Sequence, residues 1–146
     1  MNELKSSENF TYWKKPWQKW FIFNAAVLNL FALLHNIQEY RNIAMLGILS
    51  ASEFASYSAS KYMQCASNGF IAVSFLAIFA IGFVAKNKKS AQLAEGIVLL
   101  VLSAAWVIAG IILDMLTTDG QRFYFGFVLI LALGGAAHSF YAAHKI

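Results

Sequence analysis

The sequence predicts an all-α integral membrane protein, a four-helix bundle with both termini cytoplasmic. Three observations predict it. Of 146 residues, 60% are apolar and 12% charged, against roughly 45–50% and 25% in an average soluble chain. The mean hydropathy is +0.59. Finally, four stretches reach the length of about 20 apolar residues that a helix needs to cross the roughly 30 Å hydrocarbon layer. One proline and one cysteine leave no room for a collagen or a disulfide scaffold, and the composition excludes a disordered chain or an ordinary soluble enzyme. The whole chain, residues 1–146, reads as one transmembrane domain.

Residues 1–19 read as a cytoplasmic interfacial segment. From Phe10 to Trp20 the chain interleaves Trp13, Trp17 and Trp20 with Lys14, Lys15 and Lys19. Amphipathic rings and long basic stems suit the headgroup layer. A basic aromatic run also suits nucleic acid, but this one abuts a span, so no nucleic-acid partner is expected. The spans are placed at about residues 20–38, 65–85, 91–115 and 123–143. No small-residue cleavage pattern closely follows Leu34, so the first is expected to stay uncleaved. Of residues 43–60, Ile43 to Leu49 are apolar, but the stretch from Ser50 to Lys61, with five serines and Glu53, is too polar for lipid. They read as an outer loop, an interfacial or re-entrant helix, or an extension of the second span.

Charge placement separates four spans from five, because basic residues concentrate on the cytoplasmic side. Four spans put Lys5, Lys14, Lys15, Lys19, Lys86, Lys88, Lys89 and Lys145 inside and leave only Arg41, Lys61 and Arg122 outside. A fifth span would destroy that asymmetry. A bacterial-type inner (plasma) membrane is the simplest location.

Ionisable groups within spans are costly and mark function by default. Asn24, Glu95 and His138 lie at similar depth near the inner boundary, roughly 6–8 Å inside it, and form a candidate intramembrane polar site. A Glu95–His138 pair would share a proton and so lower the cost of burying either group. His35 and Glu39, one turn apart, form a candidate outer polar face that Asn24 shares. Asn29 and Asn36 form a second stripe. A helix with two polar stripes is expected to sit centrally in the bundle, or to turn one stripe to a cavity or a neighbouring subunit. Glu39, Arg41, Asp114 and Arg122 lie near the outer boundary, where surface ion pairs are expected.

Trp106 lies midway along the third span on the face of Glu95. It is a core tryptophan or the lining of a ligand cavity above that carboxyl. Gly134, Gly135, Ala136 and Ala137 on the fourth span, Ala105, Ala109 and Gly110 on the third, and Ser52, Ser56 and Ser60 permit close helix approach. Phe70, Phe75, Phe79 and Phe83 read as a lipid face. His35 and His138 are separated by most of the bilayer, so one haem cannot use both. No metal ligand set, nucleophile context, phosphate loop or internal repeat is present, and no cofactor is expected.

The first expectation is therefore a non-enzymatic protein acting by helix association. Its partners would be the lipid bilayer and either itself or another membrane subunit, as a self-assembling protein or an accessory subunit. The second is a small ion- or proton-coupled channel or transporter using Glu95 and His138. The third is a lipid- or quinone-binding enzyme or redox subunit, with the site near Trp106 and His138.

Overall fold

The computed structural model describes residues 10–116 and 118–146. Lys5 and the rest of residues 1–9 of the interfacial segment lie outside the described residues. Four helices follow in order: α1 (Pro16–Leu46), α2 (Ala51–Val84), α3 (Lys88–Ile112) and α4 (Asp119–Lys145). All four are long and apolar enough to cross a membrane, which marks the chain as a multi-pass membrane protein.

Local chemistry sets the helix boundaries. Pro16 opens α1, where its missing N–H costs nothing. Gly47 closes it in the left-handed region, at φ 61°, which a residue with a Cβ adopts poorly. Ser50 caps α2: its Oγ accepts from the Glu53 N–H at 3.3 Å, and the Glu53 carboxylate accepts from the Ser50 N–H at 3.0 Å. Asn87 and Thr118 cap α3 and α4 through side-chain oxygens that accept from the Ser90 and Gln121 N–H groups.

The outer loop expected over residues 43–60 is not there. Helix α1 runs on to Leu46, and only residues 47–50 separate it from α2. Of the alternatives for this stretch, the helical extension is the one observed. With 31 and 34 residues, α1 and α2 are roughly 46 and 51 Å long, well beyond the roughly 30 Å a span requires. The serines of 50–60 therefore belong to the far end of a helical hairpin.

Helix α1 packs against α2 and α3 against α4, and the two pairs join through α2 and α3. The central seat expected for α1 belongs instead to α2 and α3. In α1 the one buried residue is Ala26. The core lies around Trp106, which is 2% exposed. Its ring stacks on Phe125 at 5.7 Å and meets the edge of Phe70 at 5.2 Å. Its Nε1–H donates to the Phe125 carbonyl at 3.1 Å, which satisfies the one polar atom of a buried indole. Gly110 makes room for the Phe125 ring, and Gly96 lies against Phe140, whose ring atoms would stand 3.0 Å from a Cβ there.

Two sequence expectations about faces change. Phe70 packs on Trp106, and Phe79 packs on Phe23 at 5.2 Å, so neither belongs to a lipid face; Phe83 is exposed. In the small-residue run of α4, Ala136 is buried and Gly135 meets Leu99, whereas Gly134 and Ala137 face outward.

Candidate functional site

Two polar centres stand at opposite ends of the helices. At the end where α1 and α3 begin, the segment before α1 turns back over the ends of α2 and α3. The Trp13 indole lies on Gly82, where no Cβ could fit. Tyr12 packs edge-on against Trp13 at 4.8 Å, and its hydroxyl donates to the Glu95 carboxylate at 2.8 Å. Burial first, then the hydrogen bond and the negative charge of Glu95, hold the Tyr12 phenol well above its ordinary value. The phenol thus stays protonated and able to donate.

Tyr12 and Glu95 form the common wall of two cavities. On one side lies an open-sided cavity of about 780 Å³ with Lys14, Trp17, Phe21, Lys88 and Gln92 in its lining. On the other lies a cavity of about 280 Å³ between Ser74, Ile78 and Ile81 of α2 and Val98, Leu99 and Leu102 of α3. Leu99 in turn borders a third cavity, of about 300 Å³, lined by Phe70, Trp106, Tyr124 and Val128. Trp106 is thus both a core residue and a cavity wall.

The candidate inner site is not assembled as the depth argument expects. Glu95 meets Tyr12, whereas Asn24 and His138 are exposed on α1 and α4. No hydrogen bond joins any two of the three among the described residues. Position along each helix does not fix direction around it. Ser139, beside His138, is the residue turned to the interior, at 5% exposure.

At the hairpin end the structure assembles a centre the sequence had left scattered. The Lys61 side chain is 9% exposed. Its Nζ donates to Glu39 Oε2 at 2.7 Å and to Asn36 Oδ1 at 3.0 Å, and it lies 5.8 Å from the centre of the Tyr57 ring. His35 Nε2 stands 3.8 Å from the same Glu39 oxygen. The Tyr40 ring lies among Phe54, Tyr57 and Tyr62. His35 and Glu39 therefore meet as expected. Glu39, however, is spent on a buried lysine and not on a surface pair; the surface pair observed is Asp119–Arg122, at 3.5 Å. The signal for Lys61 was Asn36, a polar residue on the stripe that turns to α2. Tyr12 carried no signal beyond its aromatic neighbours.

This centre fastens α1 to α2. Glu39→Ala should release Lys61 as a buried, poorly compensated cation and lower the thermal midpoint of the detergent-solubilised protein. His35→Ala should leave the midpoint nearly unchanged, because that imidazole is largely exposed. At the other end, Tyr12→Phe should cost about 1–2 kcal/mol of segment docking. Trypsin cleavage after Lys14 would then speed up roughly tenfold. Since the folded-state phenol titrates above its unfolded value near 10, docking is complete below that pH and is lost as pH rises past it. Tyrosinate absorbance and cleavage should rise together.

Among the described residues no cluster of three His, Cys, Asp or Glu side chains is placed to hold a metal ion. Comparison with protein-family models, curated proteins and solved structures yields no significant match.

Proposed function

We propose that this chain is a small, non-enzymatic, polytopic protein of a bacterial-type plasma membrane, with both termini cytoplasmic. It acts by helix association, as a self-assembling protein or an accessory subunit of a larger membrane complex. The observation that carries this reading is the state of α1. It has length and apolarity enough to span, yet only Ala26 is buried, and the amide of Asn24 and the imidazole of His35 lie on its uncovered side. In hydrocarbon an unsatisfied polar group costs several kcal/mol, so this face is built to meet protein. Extraction from native membranes in a mild detergent should give a species heavier than one 16.2 kDa chain. A monodisperse monomer with no companion would sink the reading.

A second reading, a cation- or proton-coupled channel or transporter, draws on Glu95 alone of the polar residues first considered. Its carboxyl borders both the open cavity and the apolar one behind it, and the Tyr12 hydroxyl lies between them. Proteoliposome flux should then change in its pH dependence with Glu95→Gln; unchanged flux removes Glu95 from any transport route.

A further inference from the structure

We propose that the uncovered face of α1 is the seam of a parallel pair formed with a second copy of this chain. The inference rests on the association reading above and adds the partner, the orientation and the contact residues. From Trp17 to Met45, exposed residues recur along α1 in alternating steps of four and three. The apolar members are Trp17, Phe21, Leu28, Phe31 and Met45, each at least 60% exposed. The polar members are Asn24, His35, Gln38 and Asn42, and all four are exposed. This is the 3.5-residue repeat of a left-handed helix pair. Its position is not incidental to α2: Ala26, the buried residue, is two residues on from Asn24 and so about 200° around the helix. From Asn24 onward the seam thus lies on the side of α1 away from α2, while its first two members, Trp17 and Phe21, border the open cavity at the start of the helix.

Three features select a second copy over an unrelated helix. First, no member of the seam carries a fixed charge; of the charged groups beside it, Glu39 is already paired with Lys61, and the exposed Arg41 stands at the hairpin end. Second, every polar member is self-complementary. An amide offers both donor and acceptor, and so does a neutral imidazole, so Asn24, His35, Gln38 and Asn42 can each pair with their own counterparts. Third, copies of one chain insert in one orientation, because flanking charges set it. A parallel pair places every seam residue opposite itself at the same depth. Ala25 and Ala32 flank the seam and permit close approach. A partner of different sequence would need polar groups at each of these depths; a second copy has them by construction.

The experiment is oxidative cross-linking in isolated membranes, in a Cys65→Ala background that removes the chain's one thiol. Leu28→Cys and Phe31→Cys should give a product of twice the chain mass, whereas Leu33→Cys, on the side of α2, should not. Asn24→Leu, which makes the span more apolar and does not hinder insertion, should weaken the pair roughly 3- to 30-fold by dilution of cross-link yield, the range set by one intramembrane polar contact. Asn24→Gln should restore most of it. A seam cross-linked only into products containing a different chain overturns the second copy and leaves the association reading intact. No cross-link from any seam position, in a protein that also purifies as a monomer, overturns both.

Discussion

Trp106→Ala is expected to destabilise the folded helices by about 3 kcal/mol, with Trp106→Phe costing clearly less. In soluble cores a tryptophan truncation removes about 3–5 kcal/mol, part of it the transfer from water and part the cavity left behind. Lipid chains are as apolar as leucine, so between membrane helices the transfer part shrinks and the packing part stays. Here the packing part is large. Trp106 stacks on Phe125, meets the edge of Phe70 and borders the Met63, Ala66 and Val128 shell. Its truncation also frees the Phe125 carbonyl from a hydrogen bond. Phenylalanine keeps the ring contacts and loses the indole N–H. Helicity followed through a titration with denaturing detergent measures the difference; equal losses for Ala and Phe would show that the stack contributes little.

Gly110→Ala is expected to cost about 1–3 kcal/mol through overpacking, outweighing the gain of about 1 kcal/mol that alanine brings to a helix. A methyl at Gly110 falls inside the van der Waals reach of Phe125 Cε2. The Phe125 ring cannot retreat, being stacked on Trp106. Phe125→Leu in the same chain should recover part of the loss, a coupling that a double-mutant cycle reads directly. Gly126→Ala provides the opposite sign. Nothing stands within 4 Å of a Cβ there, so only the helix propensity changes and stability should rise. If both glycines respond alike, propensity and not contact controls them.

Fold class and helix number were legible because the apolar runs are long and the bilayer thickness fixes what they can do. The polar stretch after residue 43 was harder. Serine is poor in lipid whether it lies in a loop or in a helix, so composition could not choose, and the Ser50–Glu53 cap was the local signal for a helix. For the site residues, spacing along a helix was legible and azimuth was not. Glu95 meets Tyr12 while Asn24 and His138 are exposed on α1 and α4, because rotation about each helix is set by packing. Glycines with little to say alone, such as Gly82, Gly96 and Gly110, decide that packing through the aromatic rings they admit. Lys61 and Tyr12 were missed for the same reason: each acts on a helix that is distant in sequence, and no periodicity within one helix records such a partner.

The Tyr12–Glu95 hydrogen bond has a consequence for how the molecule is made. The contacts between helices run in chain order, α1 with α2, α2 with α3 and α3 with α4, so each helix finds its neighbour as soon as that neighbour has been synthesised. The Lys61 bonds to Glu39 and Asn36 span 22 and 25 residues; the Tyr12–Glu95 bond spans 83. Tyr12 must therefore wait, through two further helices, for the residue that receives its hydroxyl. During translation Trp13 can meet Gly82 once α2 is made, but the Tyr12 hydroxyl has no carboxylate to receive it until α3 stands beside α2. Its docking is thus a clock within biosynthesis, set to the arrival of Glu95.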